Sequence, residues 1–189
     1  MEKGRHGEDP YIGRCMEKCA GFGWLLRLRG RRFRRRRPCG GLEENVYDLY
    51  CGEGSITLYL AAAAKHVAGV ELVPESVADA RVNADFNGIT NVSFTSGDMK
   101  KVLDPGFVAQ YGKPDVVVTD PPRAGMDEPV ICHLLELAPP RIVYVSCNPA
   151  TQARDLAIHN EQYRIDFVQP IDMFPHTYHV ENVVRLVKR

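Results

Sequence analysis

From residue 46 onward, short apolar runs alternate with stretches of helical period. "VYDLY" (46–50), "HVAGVEL" (66–72), "NVSFTSG" (91–97), "DVVVTD" (115–120) and "RIVYVSC" (141–147) read as strands. Their β-branched and aromatic residues fill runs of strand length bounded by Gly, Asp, Ser or Asn. Residues 55–64, 75–87, 127–137 and 150–160 read as helices, on the return of apolar residues every three or four positions. Two further strands are expected at 163–171 and 182–188, with no helix between them.

Strands separated by helices imply a parallel sheet covered on both faces. The nearly unbroken Val and Ile at 116–118 and 142–145 fit central strands buried on both sides. The last two strands, joined by a loop too short for a crossover helix, should pair antiparallel. The expected fold is therefore α/β: a Rossmann-like, mostly parallel sheet of seven strands with an antiparallel C-terminal pair. That is the layout of the class I S-adenosylmethionine-dependent methyltransferases.

A chain of 189 residues, 44% hydrophobic, is long enough for one domain with a full core and short for two. The net charge of zero hides a division. Residues 1–46 hold 12 Lys+Arg against 6 Asp+Glu, and taking these from the totals of 24 and 24 leaves 12 against 18 in residues 47–189. The basic part includes "RLRGRRFRRRRPCGG", with eight arginines in residues 27–37, a block that cannot bury itself. Residues 1–45 are expected to be a poorly ordered basic segment, either a solvated passenger or an arm for RNA phosphates, and residues 46–189 the folded domain. Cysteines at 15, 19, 39, 51, 132 and 147 lie in unlike contexts, which suits free thiols in a reducing compartment. Cys15 and Cys19 form a C-x3-C with no second pair, so no metal is expected. No apolar run approaches the roughly 20 residues needed to cross a bilayer, and charges occupy the place of a signal peptide's apolar stretch. A cytoplasmic protein without membrane contact is the expectation.

In open α/β sheets, ligands bind beyond the carboxyl ends of the strands. Polar residues gather there in this sequence: Asp48, Tyr50 and the loop "CGEG" after the first strand, Glu71 after the second, Asp98 after the third, Asp120 after the fourth and Cys147 after the fifth. Gly52 and Gly54 suggest a tight cofactor turn, yet Thr57 stands where a dinucleotide fingerprint wants its third glycine, and Glu53 would repel a pyrophosphate. S-adenosylmethionine has no phosphate and carries a sulfonium cation, which suits a glycine turn ringed by carboxylates. Glu71 follows Gly52 by 19 positions, close to the roughly 20-residue offset of an acidic residue that meets ribose hydroxyls. Asp98 would then face the adenine.

The fourth and fifth loops bear on the methyl acceptor. Enzymes that methylate exocyclic base amines place an aromatic residue after D/N-P-P, whereas "DPPRAG" has Arg123 there. A uracil C5 poses a different problem, because it is barely nucleophilic until a thiolate adds to C6. Cys147 stands just ahead of a good N-cap, Asn148, and a good first helical residue, Pro149. Its sulfur is thus expected outside a helix N-terminus, where the partial positive charge favours an anion.

Together, "DLYCGEGSITLYLA", "VVVTDPPRAGM", "YVSCNPATQARDL" and "DMFPHTYHVE" closely resemble motifs of the RNA uracil-C5-methyltransferase family, which modifies uridines of bacterial ribosomal or transfer RNA. The resemblance covers residues 46–189. It implies Cys147 as nucleophile and Glu181 as general base. Asp48, Tyr50, Gly52, Gly54, Glu71, Asp98 and Asp120 would bind S-adenosylmethionine, and Asp120, Pro121 and Arg123 would shape the base pocket. The implied partner is RNA, 23S ribosomal RNA ahead of transfer RNA, with no DNA and a monomeric enzyme. Two alternatives stay open: an inactive module that binds cofactor and RNA, and a small-molecule methyltransferase of the same fold, which has no use for a cysteine nucleophile.

Overall fold

The expected strands form one sheet. In a computed structural model, which describes residues 43–172, 176–177 and 180–189, the strands are β1 (Asn45–Leu49), β2 (His66–Glu71), β3 (Val92–Ser96), β4 (Val116–Thr119), β5 (Arg141–Ser146), β6 (Tyr163–Ile171) and β7 (Glu181–Lys188). Their order is β3-β2-β1-β4-β5-β7-β6. The first five are parallel, and β7 enters antiparallel between β5 and β6. The antiparallel pair follows from the connection, since a parallel return would need a crossover of about a dozen residues or more. Residues 1–42 of the expected basic segment, with Cys15, Cys19 and Cys39, lie outside the described residues.

Helices α1 (Ser55–Ala61), α2 (Pro74–Phe86), α5 (Glu128–Leu137) and α6 (Pro149–His159) occupy the four expected places. Two more, α3 (Met99–Val102) and α4 (Pro105–Tyr111), fill the β3–β4 crossover, for which no helix is predicted. They are too short to show a period, and each depends on a cap. Asp98 accepts from the Lys100 N–H at 3.0 Å and Asp104 from the Phe107 N–H at 2.8 Å, each satisfying a donor that a helix start leaves unpaired.

Alternation along the strands sorts the core. Tyr47, Leu49, Val70, Val117, Ile142, Tyr144, Val184 and Leu186 pack with Phe107, Met126, Val130, Ile131 and Leu134 on one face. On the other, Cys51 and Phe94 meet Val77, Ala80 and Ala84 of α2. All four β4 residues are buried, as its unbroken Val run predicts. Among the described residues, no helix is long and apolar enough to cross a membrane.

Candidate active site

The chain runs outward from β1 to β2 and β3, then returns to β4 on the other side of β1. This reversal opens a crevice at the carboxyl ends of β1 and β4, where such sheets bind ligands. The loop after β1 is held in shape by backbone conformations that glycine supplies cheaply. Gly52 has φ +53° and Gly54 φ +85°, in the left-handed region that costs other residues energy. A Cβ at Gly54 would stand 3.1 Å from both Ala80 and the Phe94 ring, whereas a Cβ at Gly52 would meet nothing within 4 Å. Tyr50 adopts φ +63° without being glycine, a strained conformation of the kind that clusters at functional sites.

Glu71, at the end of β2, clamps this loop. Its carboxylate accepts from the Gly52 N–H and the Val73 N–H, each at 3.0 Å. Each oxygen keeps a lone pair for a further donor. Asp48 is fully buried and accepts from the Thr57 hydroxyl at 2.6 Å through Oδ2, while Oδ1 has no partner among the described residues. Burial, with Asp120 and Glu71 adding repulsion, pushes its carboxyl up to about 7 against the opposing hydrogen bond from Thr57. An orphaned buried oxygen under a turn with open space at Gly52 fits a site that takes a polar, cationic ligand. Asp98 is engaged as the cap of α3, and the Asp120 N–H donates to the Leu49 carbonyl at 3.3 Å, joining the ends of β1 and β4.

The loop after β4, "DPPRAGM", rests on α6. The Arg123 carbonyl accepts from Asn148 Nδ2 at 3.2 Å and from the Thr151 hydroxyl at 3.1 Å, and the Ala124 carbonyl from Arg154 Nη2 at 2.9 Å. Beneath them, the buried Asp155 accepts from the Met126 N–H at 2.8 Å, from Tyr144 Oη at 2.6 Å and from Arg154. Gly125, at φ +86°, leaves no room for a side chain, because a Cβ would come within 2.6 Å of Arg154 and of Asp155. Pro121 is buried and Arg123 exposed in the same loop.

Cys147 follows β5 and precedes the first turn of α6. Asn148 caps that helix by accepting from the Ala150 N–H at 3.2 Å, and Pro149 is its first residue. Ser146 Oγ accepts from the Asn148 N–H at 3.0 Å, turning the chain from strand to helix. Glu181 opens β7, and the β5–β7 ladder pairs Ser146 with Asn182. Cys147 directly follows the last residue of this pair on β5, and Glu181 directly precedes it on β7, where it pairs with Ile171 of β6. A partly exposed thiol beside a helix N-terminus and a carboxylate at the start of the neighbouring strand thus lie at one edge of the sheet.

The family described as tRNA (Uracil-5-)-methyltransferase matches residues 38–189. This chain belongs to that family. Uncharacterized RNA methyltransferases of Bacteroides thetaiotaomicron and Porphyromonas gingivalis are 55% and 58% identical over 147 and 148 residues, covering 78% and 77% of the chain. The chain spans 32% of the length of each. Among solved structures, the Pyrococcus abyssi tRNA (uracil-54, C5)-methyltransferase in complex with S-adenosyl-L-homocysteine is similar, at a TM-score of 0.68 and 37% identity over 78% of this chain and 35% of that one. The magnesium protoporphyrin IX methyltransferase of Synechocystis, at 17% identity and a TM-score of 0.67 over 98% of this chain and 87% of that one, shares the fold. The fold is that of the S-adenosylmethionine-dependent methyltransferases.

In this uracil-5-methyltransferase family member, the expected cofactor-side residues after β1 to β4 and Cys147 after β5 do gather at the carboxyl edge of the sheet. Reading the sequence missed the supports beneath them: Thr57, Tyr144, Gln152 and Asp155. A signal existed for the last two. Gln152 and Asp155 are three apart on α6 and completely buried, a polar pair on a face where a helix is expected to be apolar.

Proposed function

We propose that this chain catalyses methylation of C5 of a uracil in RNA, with Cys147 as nucleophile and Glu181 as base. The observation that carries the proposal is the Ser146–Asn182 register, because the reaction requires a nucleophile at C6 and a base at the adjacent C5. Asp48, Tyr50, Gly52, Gly54, Glu71, Asp98 and Asp120 would hold S-adenosylmethionine, which supplies the methyl group. Glu71 has lone pairs left for ribose hydroxyls, and the Asp48 oxygen that lacks a partner among the described residues would add negative potential to the crevice when ionised.

The target uridine is turned out of its stack into the crevice, where Asp120, Pro121 and Arg123 shape its pocket. The Cys147 thiolate adds to C6, and the electron pair of the C5–C6 double bond moves into an enolate. C5 then takes up the methyl group through the enolate's electron pair, which would leave the cofactor as the neutral thioether S-adenosyl-L-homocysteine. Glu181 removes the C5 proton, the double bond re-forms, and the thiolate leaves as 5-methyluridine is released. The substrate expected is 23S ribosomal RNA ahead of transfer RNA, while the similar Pyrococcus enzyme is named for uracil 54 of tRNA. Incubation of the chain with methyl-labelled S-adenosylmethionine and unmodified ribosomal or transfer RNA, followed by nucleoside analysis, tests both levels. Label in 5-methyluridine of ribosomal RNA is expected. Label in transfer RNA alone would reassign the substrate, and label in another nucleoside would refute the uracil reading.

A further inference from the structure

One buried amide joins the helix behind Cys147 to the strand that begins with Glu181. Gln152 is only 1% exposed. Its Nε2 donates to the Tyr144 carbonyl at 2.9 Å and to the Asn182 carbonyl at 3.1 Å, and its Oε1 accepts from Asn182 Nδ2 at 2.6 Å. Tyr144 lies two residues before the end of β5, and Asn182 is the second residue of β7. The three hydrogen bonds thus converge where the β5–β7 ladder opens toward the crevice.

We infer that Gln152 is a positioning residue for proton removal, its amide holding the open end of the ladder so that Glu181 keeps its place at the edge that carries Cys147. The inference rests on the roles proposed above for those two residues. The last pairs of a ladder fray readily, and a slip of one residue would turn Glu181 to the other face. β6 holds the outer edge of this end through Pro170–Asn182 and Ile171–Glu181, but on the β5 edge the chain bends into α6 beyond Ser146 and no further strand pair forms. Gln152 replaces that pair. Because α6 also carries the first turn beside Cys147, one side chain references the base to the nucleophile. Cys147 is fixed independently by Ser146 and the Asn148 cap, so loss of the amide should disturb the base far more than the thiol.

The test compares the full chain with Gln152→Leu, which keeps volume, and Asn182→Val, which removes only the paired side-chain amide. Amide hydrogen exchange should show protection at residues 182–184 falling about tenfold or more in Gln152→Leu, with residues 186–188 unaffected. Rapid-quench single-turnover reactions on labelled uridine-containing RNA should show the covalent enzyme–RNA adduct forming at nearly the normal rate. Its breakdown should be slowed about tenfold, so that adduct accumulates, with a smaller shift in the same direction for Asn182→Val. Unchanged protection at 182–184 would overturn the lock. Equal slowing of adduct formation and breakdown would overturn the positioning role, since a loss of folded protein lowers both. No methyl transfer by the unaltered chain would overturn the proposed function, and this inference with it, whatever the exchange data show.

Discussion

Replacing Asp48 with Asn should remove a pH dependence of stability that one buried carboxyl creates. Burial raises the Asp48 pKa from 3.8 to about 7, with Asp120 and Glu71 contributing. The folded state therefore binds this proton more tightly than the unfolded state. Stability tied to the group is full below about pH 4 and is lost as the pH rises toward 7. A shift of about 3 units corresponds to about 4 kcal/mol, of which about 2–3 kcal/mol falls between pH 5 and pH 8. Asn stays neutral throughout. Urea unfolding of both proteins at pH 5, 6, 7 and 8 should show the Asn variant gaining about 2–3 kcal/mol on the parent across that range. The same charge acts on ligands: a cation entering the crevice favours ionised Asp48, so parent affinity for S-adenosylmethionine should rise from pH 6 to pH 8 and the variant's should not. A stability difference that stays flat with pH would refute the buried-charge reasoning.

Three further outcomes are expected. Glu71→Ala should weaken S-adenosylmethionine binding by about 1–3 kcal/mol, the range for hydrogen bonds to a charged group, and calorimetry showing unchanged affinity would remove Glu71 from the site. His159 is buried with neither ring nitrogen paired among the described residues, and burial pulls its pKa down to about 4 against the pull of Asp155. Its neutral form is favoured, so stability is lost as pH falls through the range from 6.5 to 4; thermal melts should show His159→Phe gaining about 2 kcal/mol on the parent between pH 8 and pH 5. Deleting residues 27–37 tests the arginine block: if it binds RNA, the log–log salt slope of binding should flatten by about 0.9 for each duplex phosphate that the arm neutralises, and an identical slope would make it a passenger.

Much of this fold is legible because its signals are local. Val116–Val118 and Ile142–Val145 announce central strands by composition, and the short link between β6 and β7 dictates their antiparallel pairing. The missed helices α3 and α4 have four and seven residues, too few for a periodicity to emerge, and Pro105–Gly106 at the start of α4 reads as a turn. Their existence depends on Asp98 and Asp104 as caps and on Phe107 reaching the Tyr47 ring at 5.0 Å, a tertiary contact that no window of sequence contains. The site divides in the same way. Gly52, Gly54 and the strand-end carboxylates can be read from spacing, because the parallel sheet maps strand ends onto one edge. Glu181 cannot: an isolated carboxylate before a strand is unremarkable until the Ser146–Asn182 pair places the start of β7 beside the end of β5. Gln152 and Asp155 stand out as polar residues on a buried helix face, but what they hold is set by partners as far as 30 and 29 positions away.

The order of the two proposed catalytic steps can be measured directly. Cys147→Ala and Glu181→Gln are each incubated with S-adenosylmethionine and labelled unmodified RNA, then run on a denaturing gel. If Cys147 attacks before methyl transfer and Glu181 acts after it, the Gln variant should trap a slow band of protein bonded to methylated RNA. The Ala variant should show no such band and no 5-methyluridine. A covalent band in the Ala variant, or 5-methyluridine formed without Cys147, would show that this thiol is not the nucleophile.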